Sequence, residues 1–76
     1  MNVVKVSIFE YKDNLRANEA IHLGMFDFPA KPHKDDIILN KDNKYVVDTI
    51  IFDCDYDYIE VMVYNMGEID NEWKWY

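Results

Sequence analysis

The chain has 76 residues, of which 50% are hydrophobic and 16% aromatic, and a formal net charge of −7. A chain of this size makes one domain, residues 1–76, with a small core, because it buries only about 60–70% of its unfolded surface. The acidic balance argues against direct contact with double-stranded nucleic acid, and no stretch approaches the ~20 apolar residues of a membrane span.

The charge is unevenly placed. Residues 39–76 carry nine Asp/Glu against three Lys/Arg, while residues 1–38 carry six against five. Cys54 is the single cysteine and cannot form an intramolecular disulfide. With no apolar stretch of signal-peptide type in residues 1–20, the expected location is cytoplasmic. Ile, Asp, Asn, Lys and Tyr make up 38 of the 76 residues, and one arginine stands against seven lysines. Those residues have A/T-rich codons, a hint of an AT-rich bacterial or phage genome.

Residues 3–11 (VVKVSIFEY) alternate, with Val4, Val6 and Ile8 on one face and Val3, Lys5, Ser7 and Phe9 on the other. This predicts a first strand. Lys12, Asp13 and Asn14 form a polar turn. Residues 15–24 read two ways: a short helix capped by Asn14 and ended by Gly24, or an extended connection. The apolar stripe is poor for a helix, so the expectation is at most one helical turn, then a strand over 21–28.

Residues 29–34 (PAKPHK) hold two prolines and the most basic local stretch. Proline lacks a donor and fixes φ, so this is an exposed loop. Residues 37–39 make a short strand, and 40–44 a five-residue turn. Residues 45–64 (YVVDTIIFDCDYDYIEVMVY) are the longest apolar-rich stretch. They predict a long hairpin: strands 45–52 and 58–64 joined by the acidic residues 53–57.

In the second of these strands Ile59, Val61 and Val63 share the core face, and Tyr58, Glu60, Met62 and Tyr64 the other. The first strand changes phase, since Tyr45 and Val47 have one parity and Ile50 and Phe52 the opposite. One extra residue near Asp48 and Thr49, a β-bulge, puts all four on one face. Asn65, Met66 and Gly67 then end the hairpin. Five strands with short connections predict an all-β fold, a small five-stranded antiparallel barrel or rolled sheet, SH3-like more than OB-like.

No catalytic constellation assembles. Asp53-x-Asp55-x-Asp57 resembles the start of a calcium loop, but Tyr58 and Tyr64 occupy the positions that need Gly and Glu, so no metal is expected. His22 and His33 lack the partners of a zinc site. Ser7 lies inside a strand, and Cys54 sits among carboxylates, a poor setting for a nucleophilic thiolate. The reading is a non-enzymatic protein with no cofactor.

Two surfaces suit a protein partner. One is the outer hairpin face, Tyr58, Glu60, Met62 and Tyr64, with Asp53, Asp55, Tyr56 and Asp57 at its tip. Tyr and Met are enriched in interfaces, and the carboxylates suit a basic surface. The other is the tail, whose Trp73 and Trp75 either close the core or contact a partner. In size and charge alone the chain is similar to small acidic inhibitors of mobile elements, the anti-CRISPR type among them, some of which imitate the charge of DNA. Under that reading Asp53, Asp55, Asp57, Glu60, Glu68, Asp70 and Glu72 stand in for phosphates. The other classes are a barrel that binds a nucleotide or single-stranded nucleic acid, using Lys31, His33 and Lys34, and a homo-oligomeric structural subunit.

Overall fold

The computed structural model describes residues 3–12 and 20–68. Five strands follow in order: β1 (Val4–Glu10), β2 (Ile21–Phe28), β3 (Ile37–Asn40), β4 (Asn43–Phe52) and β5 (Ile59–Glu68). They form one sheet in the order β2-β1-β5-β4-β3. The sheet curls into a half-barrel, and the described residues contain no helix. The candidate helical turn before β2 falls on residues 13–19, outside the described residues. Among the described residues there is therefore no helix long and apolar enough to cross a membrane.

The expected all-antiparallel arrangement is corrected at one place. β1 and β5 pair in parallel, Val6 opposite Ile59 and Ile8 opposite Val61, whereas the β1/β2, β3/β4 and β4/β5 pairs are antiparallel. Parallel neighbours need a long crossover. Here β2, β3 and β4 themselves supply it, and alternation within β1 or β5 carries no trace of the partner's direction.

The core lies on the concave face. Val6, Ile8, Tyr45, Val47, Val61 and Val63 are buried together, with Leu23, Phe26, Phe28, Ile38 and Ile50 among the half-buried side chains packed on them. The phases of β1 and β5 follow the alternation of their valines and isoleucines. In β4 the register steps between Val47, opposite Val63, and Thr49, opposite Met62, leaving Asp48 as the extra residue. The expected bulge is there. It brings Ile50 against the core, while Phe52, at the strand end, stays 62% exposed.

Two further irregularities shape the sheet. In β2 Leu23 is extra between the pairs Ile8–Gly24 and Phe9–His22. Near the end of β5, Asn43 pairs with Glu68 and Tyr45 with Asn65. The Gly67 N–H donates to Asn65 Oδ1 at 2.7 Å. Asn65, Met66 and Gly67 therefore do not end the hairpin as expected; Gly67, at φ 101°, carries β5 on to Glu68 through a bulge.

The expected five-residue turn is tighter, since Asn40 pairs with Asn43 and leaves only Lys41 and Asp42 between the strands. The proline loop is exposed except at Pro32. It is tied to β4 ahead of β3: Asp35 N donates to the Val47 carbonyl at 2.8 Å, and Val47 N to the Asp36 carbonyl at 2.9 Å. β2 and β3, the two ends of the sheet, both line a groove of about 200 Å³, with Phe26, Phe28 and Ile38 beside Ile8 of β1.

Candidate protein-binding site at the hairpin tip

β4 and β5 close on the pair Phe52–Ile59, and residues 53–58 connect them. Asp53 folds this connection. Its carbonyl accepts the Tyr56 N–H at 3.1 Å, and its Oδ1 accepts the Asp55 N–H at 2.9 Å. An aspartate that bonds the backbone two residues on is a standard turn former. The turn stacks Tyr56 on Tyr58, with ring centroids 5.1 Å apart and planes 23° apart.

Asp53, Asp55, Tyr56, Asp57 and Tyr58 are therefore brought together, and Tyr56 is 56% exposed. Among the described residues no basic side chain comes within ion-pair distance of Asp53, Asp55 or Asp57. The field of Asp53 and Asp57 reaches the Tyr58 phenol, whose pKa is raised above 10.0 by desolvation first, then by Tyr56, Glu60, Asp53 and Asp57. Phe52, missed in the sequence reading, adds beside the tip the most exposed large apolar side chain among the described residues. Lys31 of the proline loop places its Nζ 5.2 Å from the Phe52 ring centroid.

A groove of about 390 Å³ runs beside the tip. Val3, Val4 and Lys5 line it from the start of β1, and Phe52, Asp53, Asp57 and Ile59 are among those lining it from the hairpin. The parallel β1/β5 pairing puts these distant segments side by side. No sequence signal connects residues 3–5 to residues 52–59.

The outer face of β5 is another matter. Met62 is 7% exposed, so it has little to offer a partner. It lies between Phe9 of β1 and Thr49 of β4 in the strand registers, on the face opposite Val61 and Val63. Ser7 Oγ lies 2.9 Å from His22 Nε2, Phe9 packs on the His22 ring at 4.8 Å, and Tyr11 packs on Tyr64 at 4.7 Å. Tyr64 and Glu60 are half-buried. Glu68 is exposed at the far end of the ten-residue β5, about 30 Å from the tip by strand rise. Asp70, Glu72, Trp73 and Trp75 lie outside the described residues.

The Ser7–His22 pair has the atoms of a nucleophile and a base, but Ser7 is 4% exposed, and an attacking hydroxyl must reach a substrate carbonyl. It serves as a cross-strand polar contact that satisfies a buried hydroxyl. Among the described residues no three His, Cys, Asp or Glu side chains converge as a metal site, and Cys54 is free and exposed. In comparisons with known proteins, the chain matches no family model, no curated protein and no solved structure.

Proposed function

We propose that the protein is a non-enzymatic interaction domain that binds a basic protein surface through the tip of the β4–β5 hairpin. One observation carries this reading: three aspartates without a cationic partner among the described residues stand beside a stacked tyrosine pair, of which Tyr56 is exposed and Tyr58 half-buried. Exposed aromatic side chains supply contact area, and the carboxylates select a Lys/Arg-rich surface and speed the encounter with it. A nucleic-acid-binding protein presents such a surface. Occupying it by charge mimicry makes the domain an inhibitor, with the tip aspartates in the place of phosphates.

The test is capture of the partner from nuclease-treated lysate, followed by calorimetry of the purified pair with wild-type protein and with D53N/D55N/D57N. The triple variant keeps Oδ1 acceptors for the turn while removing its charge. Affinity falls by about threefold to a hundredfold, the three lost charge contacts being worth a few tenths to 1 kcal/mol each. Equal affinity of the two proteins refutes the reading.

A further inference from the structure

We propose that the groove beside the hairpin tip receives a single arginine side chain of the partner. This rests on the binding role of the tip given above and narrows it to one residue type.

The carboxylates alone do not make the site; the groove's mixed lining does. Its volume of about 390 Å³ lies at the small end of ligand clefts, which run to about 300–1,000 Å³. Val3, Val4, Phe52 and Ile59 offer apolar surface, and the methylene stem of a long cationic side chain buries itself along such surface. Asp53 and Asp57 line the same groove as charge-assisted acceptors. Tyr56 and Tyr58 line it too, as a stacked pair whose ring faces attract cations.

The neighbourhood already handles a cation in this way, for Lys31 holds its ammonium 5.2 Å from the Phe52 ring centroid. Among the described residues Lys5 is the one basic side chain in the lining, set against two carboxylates. An anionic occupant such as a phosphate faces that carboxylate pair, so the charge favours a cation. Guanidinium is preferred to ammonium because it is planar, stacks on aromatic rings and pairs with carboxylates through two parallel bonds.

The experiment titrates the isotope-labelled full chain with acetyl-Gly-Arg-Gly-amide and follows it by two-dimensional NMR. The counterpart peptide carrying citrulline, the uncharged isostere, serves as control. Saturable shifts are expected at Val4, Lys5 and residues 52–59, with citrulline about tenfold weaker or worse. Phe52→Ser and Asp57→Asn each weaken the arginine peptide several-fold, while unchanged Val61 and Val63 resonances show that the fold is intact. Equal affinity for the two peptides, or no saturable shift in the groove by about 20 mM peptide, overturns the proposal. Poly-L-lysine at low salt separates the two readings. If its binding depends on Asp53, Asp55 and Asp57 while the arginine peptide leaves the groove unshifted, the arginine pocket falls and the acidic-tip reading stands.

Discussion

Asp48 has two roles, one steric and one electrostatic. As the extra residue of the β4 bulge it resets the strand's phase. Its Oδ2 also accepts the Thr49 hydroxyl at 2.8 Å and the Tyr11 hydroxyl at 2.9 Å. These two donors, Thr49 first, hold its carboxyl below the ordinary value of 3.8, and the Lys34 charge adds to them. A depressed folded-state pKa stabilises the fold above the unfolded value and loses that contribution as pH falls through the folded value. Urea midpoints are therefore expected to drop below about pH 4, and less steeply in Asp48→Asn. Tyr11→Phe removes one donor and costs about 0.5–1.5 kcal/mol at neutral pH.

The alkaline limb has the opposite sign. Burial, the largest cause, raises the phenols of Tyr11 and Tyr45 above 10.0; Asp48 adds to the first, opposed by the Thr49 bond, and Glu10 adds to the second. Their contribution is complete below the unfolded value and fades as pH climbs through the raised ones. Ultraviolet titration should show these two phenolates forming together with unfolding above about pH 10.

At the scale of the element, bulges decide where side chains point, and they differ in how well the sequence announces them. The β4 bulge is legible because Tyr45, Val47, Ile50 and Phe52 break parity around a polar Asp48-Thr49 pair. The β2 bulge at Leu23 is not, because Gly24 has no side chain to mark a face. Gly24 sits at φ 143°, and a Cβ there meets Phe26 Cζ at 3.2 Å. Gly24→Ala is expected to cost about 1–3 kcal/mol, mostly from the backbone, since the ring edge can shift and the φ cannot. Gly67 is equally left-handed, at φ 101°, but a Cβ there meets nothing within 4 Å. Gly67→Ala, near a strand end, should lower the thermal midpoint less, and the reverse order would show that the backbone at Gly24 relaxes more readily than its central place in β2 implies.

The candidate site divides along the same line. Residues 53–58 are neighbours in sequence and in space, so their acidic and aromatic character was readable. Val3, Val4 and Lys5 join them only through parallel pairing with β5, which alternation does not encode. The burial of Met62 escaped for a related reason. On the central strand Met62 stands between Phe9 of β1 and Thr49 of β4 and is buried, while Glu60 and Tyr64 on the same face are half-buried; alternation with Glu60 reads instead as one face in water.

For the whole molecule, the question is whether the acidic tip belongs to the fold or to a partner. Three aspartates within five residues repel one another, and on a chain of net charge −7 every added anion opposes compaction. Among the described residues no cation offsets them by an ion pair. Only Asp53 has a folding role, and its turn bond is one an asparagine oxygen also makes. D53N/D55N/D57N is therefore expected to match or exceed the wild type in stability, by up to about 1 kcal/mol, which in a domain this small is a rise in Tm of about 4–8 °C. Added salt screens the same repulsion, so it should narrow the gap between the two proteins. A rise that vanishes at high salt marks the tip as charge held against the fold's own interest, as an interaction surface requires. A fall, measured by thermal denaturation at low salt, assigns the aspartates to the turn and removes the main support for a charge-directed partner.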